Sequence, residues 1–148
     1  MTRSVRMLVL GVLAALALSA CGETEGIGTA QRENAERADA ICQRTQAEVG
    51  TLADDAANDR DEVRRASDEF KAINAPSENE IKWTRFVRET SNLWLSLEDV
   101  AQARDPSTND RPRAERAVTR VRETNTRIME LAEDYGMQVC NRGLGNNP

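Results

Sequence analysis

The chain has 148 residues, of which 39% are hydrophobic, and its 20 basic and 25 acidic side chains leave a net charge of −5. It contains no histidine, which removes the commonest general base and the commonest metal ligand. An acidic chain of this length is enough for one domain with one core, and it is a poor partner for nucleic acid.

The first 20 residues have the order of an export signal. Arg3 and Arg6 give the segment a positive start, and residues 7–18 are apolar. This order is typical of a secretory signal peptide, and the apolar run is shorter than the roughly 20 residues that span a bilayer. We therefore expect residues 1–20 to be removed on export. The remaining chain would carry 18 basic and 25 acidic side chains, a net charge of −7.

The sequence Leu18-Ser19-Ala20-Cys21 resembles the lipobox of bacterial lipoproteins. The resemblance implies that Cys21 receives a diacylglyceryl group and becomes the new N-terminus, whose freed amine can take a further acyl chain. Two acyl chains anchor a protein stably, so we expect the mature protein on the outer face of the cell membrane. Residues 21–29 would form a short lipidated tether. The alternative is an ordinary signal peptide cut after Ala20.

The next segment predicts two amphipathic helices. From about Ala30 to Ala56, small and apolar side chains recur at steps of three and four, which is the pattern of a helix in a bundle. Asp59 with Glu62 resembles a capping box that opens a second helix, and Pro76 ends it. The seam of the first helix contains Ala35, Ala38, Cys42, Thr45, Val49, Leu52 and Ala56.

Two longer helices follow. Ser77 with Glu80 matches a capping box for a third helix that runs to about Arg104. Pro112 lies just inside a fourth helix, and Gly136 suits a left-handed cap at its end. The composition and the short links predict an all-α fold, an antiparallel up-down-up-down four-helix bundle over residues 30–142. Residues 143–148 would be a flexible tail. The upper parts of the long helices, roughly 101–117, would extend beyond the shorter pair.

Cys42 and Cys140 remain once Cys21 is acylated. In an oxidising compartment an even pair usually forms a disulfide, and in the predicted topology both residues lie at the same end. A bridge would therefore close the bundle. Two buried free thiols, or a metal pair with further ligands, are the alternatives.

No sequence motif of catalysis is present, so we predict no catalytic residue, no metal site and no cofactor beyond the lipid on Cys21. Five acidic residues at positions 54–62 are interpreted as a solvated turn, with a calcium site as the alternative. Arginines give the fourth helix a basic outer face, which is either solvated or a stripe that binds a partner.

The two tryptophans are 11 residues apart on the third helix and therefore share a face. Phe86 and Leu97 lie near the line that joins Trp83 and Trp94. These side chains are either part of the core, or the wall of an apolar ligand groove or partner surface.

The chain resembles the small lipoproteins of unknown function that are common in actinobacteria. The resemblance is carried by residues 18–21, by Ala40-Ile41-Cys42, and by residues 135–140, where the last helix ends in Gly136 and then Cys140. It implies surface anchoring and a helical domain closed by one disulfide, and it brings no catalytic residues.

These observations together predict a membrane-anchored lipoprotein of the cell envelope that is not an enzyme. Its helical domain would bind an envelope protein or another envelope component through a helix face, and its lipid anchor would bind the membrane. The alternative is a carrier or sensor of a small apolar ligand held in a groove between helices. The oligomeric state stays open.

Overall fold

The computed structural model describes residues 28–147. The predicted signal segment, the lipobox with Cys21 and most of the tether lie outside the described residues, as does Pro148. The described part is all-helical and contains no strand, as expected. Its four helices are α1 (Thr29–Val49), α2 (Ala56–Lys71), α3 (Glu80–Arg104) and α4 (Arg111–Tyr135), and two 3-10 turns span Ser77–Asn79 and Cys140–Arg142.

The first helix is shorter than the sequence pattern predicts. It ends at Val49, because Gly50 turns the backbone to a positive φ of 64°. The chain then runs beside the C-terminal segment, where the N–H of Leu52 donates to the carbonyl of Asn146 over 2.9 Å. Leu52 and Ala56 are buried, but they belong to the α1–α2 turn and to α2. The spacing of three and four residues between apolar positions therefore continues past Val49, where α1 ends.

Neither predicted capping box forms. The carboxylate that caps α2 is that of Asp55, which accepts from the N–H of Asn58 over 3.3 Å. Asp59 lies one turn inside the helix and is buried. Ser77 lies in the 3-10 turn that precedes α3, and no side chain caps that turn.

The ends of α4 follow the prediction. Asp110 accepts from the N–H of Arg113 over 3.0 Å, and Pro112 lies in the first turn. At the other end Gly136 has a φ of 93°, and the N–H of Met137 donates back to the carbonyl of Ala132 over 2.9 Å. This is a Schellman motif, in which the buried Met137 packs back against the helix.

The core holds a cluster of four aromatic side chains among aliphatic ones. Phe70 of α2 lies 5.0 Å from Phe86 of α3 between ring centroids, and Trp83 lies 5.3 Å from Tyr135 of α4. Gln31, near the start of α1, donates to the carbonyl of Tyr135 over 2.7 Å. The cluster therefore lies at the end of the domain where α1 begins.

The predicted disulfide is confirmed. Cys42 and Cys140 are joined by an S–S bond of 2.04 Å, and both are fully buried. The carboxylate of Asp39, one turn before Cys42, accepts from the backbone N–H groups of Gln138, Val139 and Cys140 over 2.7 to 3.0 Å. One side chain and one covalent bond thus fix the segment after α4 against α1.

Residues 143–147 are packed, which corrects the prediction of a flexible tail over 143–148. Leu144 is fully buried, and its N–H donates to Oδ1 of Asn125 over 3.0 Å. The Nδ2 of Asn125 donates to the carbonyl of Gly145 over 3.0 Å, and Gln46 of α1 donates to Gly143 over 2.6 Å. The segment therefore contacts both α1 and α4, and the packed domain extends to residue 147.

Candidate functional site

An open hollow of about 540 Å³ lies where α3 ends and α4 begins. Its apolar wall is made of the small side chains of Ala103, Ala114 and Val118. Its rim carries three arginines, Arg104, Arg111 and Arg122, together with Asn109, Glu115 and Thr119. We call this surface the arginine hollow.

The turn between α3 and α4 shapes one side of the arginine hollow. The N–H of Asp110 donates to the carbonyl of Ala103 over 2.9 Å, and the N–H of Asn109 donates to that of Asp105 over 2.8 Å. Asn109 has a φ of 40°, a conformation that asparagine tolerates better than most residues. These bonds hold Asn109 at the edge of the hollow.

The rim of the arginine hollow is predominantly cationic. Three arginines and one glutamate line it, and the carboxylate of Glu115 pairs with Arg111 over 3.0 Å. The side chains of this pair are 86% and 67% exposed, so water screens their attraction. The whole chain carries a net charge of −5, and the hollow is therefore a local concentration of positive charge on an acidic protein.

The α1–α2 turn contacts Arg104, one of the arginines that line the hollow. Ala53 is buried and has a φ of 69°, which is strained for a residue with a β-carbon. Its carbonyl accepts a hydrogen bond from the guanidinium of Arg104, so the turn reaches the end of α3. The α1–α2 turn therefore contacts Arg104, which lies within the range 101–117 that was expected to extend beyond the shorter helices.

The acidic turn is not solvated throughout, as the sequence had suggested, because the side chain of Asp59 is buried. Asp54, Asp55 and Asp61 are exposed, but Asp59 is only 1% exposed. Burial raises the pKa of Asp59 to about 6, against a hydrogen bond from the backbone of Ala53 that lowers it. Its Oδ2 is enclosed and has no hydrogen-bond partner among the described residues. Within residues 28–147 no group of three or more acidic or cysteine side chains is arranged to hold a metal ion.

The residues expected on the tryptophan face do not form one surface. Trp83 is 5% exposed, and Phe86 and Leu97 are fully buried, so these three belong to the core. Trp94 is half-buried, and the guanidinium of Arg64 lies 5.4 Å from its ring centroid. Trp83 lines an open hollow of about 370 Å³, so a partner could reach its edge and Trp94, whereas Phe86 and Leu97 are closed off, which corrects the hypothesis of one binding face for all four.

Three arginines on the basic outer face of α4 pair with acidic residues of α3. Arg113 and Arg120 both bond the carboxylate of Asp99, over 3.1 and 2.6 Å. Arg127 pairs with Glu89 over 3.3 Å. These pairs favour a structural role for this part of α4.

No family model, curated protein or solved structure matches this chain. Within residues 28–147 none of the helices has the length and apolarity needed to cross a bilayer.

Proposed function

We propose that the chain is the precursor of a membrane-anchored lipoprotein of the cell envelope, and that its helical domain binds another envelope component without catalysing a reaction. Residues 1–20 would direct export, and Cys21 would carry the lipid eight residues before α1 begins at Thr29. The buried disulfide between Cys42 and Cys140 supports export, because disulfides persist in oxidising compartments.

The arginine hollow is the observation that carries the proposed binding role. It lies at the start of α4, whereas α1 starts beside the end of α4, where Gln31 bonds to Tyr135. The 25 residues of α4 separate these two ends by about 37 Å. A lipid attached through the residues before α1 would hold one end near the membrane and leave the hollow facing away from it.

We also propose that α1 to α4 alternate in direction as an antiparallel up-down-up-down bundle closed by the disulfide. Contacts between helix ends support this arrangement. Asn79, just before α3, donates to Gln31 near the start of α1 over 2.8 Å, so these two starts lie together. Arg113 near the start of α4 bonds to Asp99 near the end of α3.

The hypothesis of a small apolar ligand carrier is less well supported. The side chains expected to line its groove, Trp83, Phe86 and Leu97, pack against other core side chains, with 5.6 Å between the ring centroids of Trp83 and Phe86. A ligand would have to displace this packing to reach Phe86 and Leu97, which are fully buried. We therefore keep the interaction role as the proposed function.

The anchoring is tested by replacing Cys21 with alanine in the host cell. The wild-type protein is expected in the membrane fraction, and the Cys21→Ala variant is expected to leave it. Equal amounts of both proteins in the membrane fraction would contradict lipid anchoring through Cys21.

The binding role is tested by photo-crosslinking in living cells. A photoreactive amino acid is placed at Thr119 in the arginine hollow and, as a matched control, at Ala40, which is exposed on α1. We expect a discrete covalent adduct from position 119 and none from position 40. Adducts from position 40 alone, or from neither position, would contradict a binding role for the hollow.

A further inference from the structure

The end of the domain where α1 begins is built from the segment between α2 and α3. The side chain of Asn34 on α1 donates to the carbonyl of Asn74 over 2.7 Å, and Asn79 donates to Gln31 over 2.8 Å. Residues 74–79 therefore lie against the first turns of α1. We call this end of the domain, together with the first turn of α3, the tether end.

The tether end exposes apolar surface. Ile81, in the first turn of α3, is the most exposed large apolar side chain among residues 28–147, at 72%. Side chains of a helix tilt toward its N-terminus, so Ile81 leans toward the tether end. An open hollow of about 370 Å³ lies between the end of α2 and the start of α3, and Ile73, Trp83 and Val87 are part of its lining.

The charges around this surface give it no strong attraction for an anionic membrane. Lys71 and Lys82, the only lysines in the chain, each pair with an aspartate, over 2.9 and 3.0 Å. Glu78 and Glu80 are exposed carboxylates of the same end. The apolar stems of the lysines can lie on an apolar surface while their ammonium groups stay in water. Any contact of the tether end with lipid would therefore be apolar rather than electrostatic.

The chain before α1 is short enough to keep the tether end at the membrane. Thr29 follows Cys21 by eight residues, which span at most about 28 Å when fully extended. A lipid on Cys21 would confine the tether end to the layer of water beside the bilayer, where a high effective concentration makes even a small apolar contact effective. Leu95, the other exposed large apolar side chain of the described part, lies about 21 Å further along α3.

We propose that the tether end rests on the bilayer that holds the lipid anchor, with Ile81 inserted among the lipid head groups. The contact would hold the helices upright on the membrane and keep the arginine hollow away from it. This inference rests on the proposed function, because it needs the lipid on Cys21.

The test uses the full lipidated protein in nanodiscs of phosphatidylcholine and phosphatidylglycerol. With Cys21 acylated and the other two cysteines in the disulfide, a single introduced cysteine can carry a nitroxide label. The label is placed by Ile81→Cys and, as matched controls, by Leu95→Cys on the same helix and Thr119→Cys at the other end. Electron paramagnetic resonance then measures access to oxygen, which concentrates in lipid, and to a nickel chelate, which stays in water.

We expect the label at position 81 to lose most of its access to the nickel chelate and to gain access to oxygen. The labels at positions 95 and 119 should keep the access to both that they have in water. Because the proposed contact is apolar, high salt should leave the result at position 81 unchanged.

A second label tests the role of the isoleucine itself. Thr84→Cys places the nitroxide at an exposed position that lines the hollow. Ile81→Glu should move this label out of the lipid, whereas the matched substitution Leu95→Glu should not. Both replaced side chains are exposed, and circular dichroism with thermal unfolding confirms that each variant is folded.

The outcomes separate this inference from the proposed function. Equal access at positions 81 and 95 would overturn the inference, since the tether end would stand off the bilayer or the domain would lie along its side. Lipid contact at position 81 that disappears in high salt would replace the apolar contact by an electrostatic one and overturn it too. In each case a lipid on Cys21 would leave the proposed anchoring standing. Absence of that lipid from the intact mass of the protein purified from its host would reject the proposed anchoring itself.

Discussion

Replacement of Asp59 by asparagine should change how the stability of the domain depends on pH. The pKa of this carboxyl is about 6 in the folded protein, against 3.8 for an unburied aspartate. A difference of about two units corresponds to about 3 kcal/mol at 1.36 kcal/mol per unit. Between these two values the folded state keeps a proton that the unfolded state has lost. The contribution of Asp59 to stability is therefore fully present below pH 3.8 and is lost as the pH rises through 6.

The assay is urea unfolding followed by tryptophan fluorescence between pH 4 and pH 8. The difference in unfolding free energy, Asp59→Asn minus wild type, should rise by about 2 kcal/mol from pH 4 to pH 7.5, because the unfolded chain is already more than half ionised at this residue at pH 4. Taking the difference cancels the other titrating groups, which both proteins share. Asp61→Asn is the matched control, because Asp61 is an exposed carboxylate of the same helix. Its difference from the wild type should stay within about 0.5 kcal/mol at every pH.

A difference for Asp59→Asn that is constant with pH would refute this reasoning. It would mean that the folded protein stabilises the ionised carboxylate of Asp59 as well as water does in the unfolded state. A difference that falls as the pH rises would mean that the carboxylate is stabilised by an interaction that burial does not outweigh.

Three further predictions concern the C-terminal half of the fold. Asp39→Ala removes the acceptor of three backbone N–H groups and should lower the free energy of unfolding by about 2 kcal/mol in urea, whereas the exposed neighbour Glu36→Ala should change it by under about 0.5 kcal/mol. Equal effects would contradict the role of Asp39. Gly145→Ala would bring a β-carbon within 2.8 Å of an α1 side chain and should speed amide hydrogen exchange in the C-terminal segment, so unchanged exchange would contradict the packing. Reduction of the bridge between Cys42 and Cys140 should lower stability by about 4 to 5 kcal/mol for a 98-residue separation, and an unchanged urea midpoint would contradict this.

Much of the helical layout follows from local physics and was predictable from the sequence. Pro76 and Gly136 act on their own backbone, so the breaks that they impose can be located without knowledge of tertiary contacts. The disulfide was predictable because two cysteines remained for one bridge. The break at Gly50 was not, because Leu52 and Ala56 continue the apolar spacing beyond it although they belong to different elements.

The features that were missed depend on contacts between distant residues. The C-terminal segment is fixed by Asn125, about 20 residues earlier in the chain, and by a close approach of Gly145 to α1. Asp59 matches a capping position by spacing, but it is buried and accepts a hydrogen bond from the backbone of Ala53. The arginine hollow is formed by the ends of two helices, and the small residues Ala103 and Ala114 that make room for it look like ordinary core positions in the sequence.

The proposed membrane-anchored interaction domain is tested most directly by native mass spectrometry of the protein extracted gently from its host membrane. We predict a chain that begins at lipid-modified Cys21 and retains the Cys42–Cys140 bridge. We also predict that a second polypeptide is bound to it. An unprocessed chain without lipid, or a lipidated chain that carries only a small molecule of a few hundred daltons, would contradict the account.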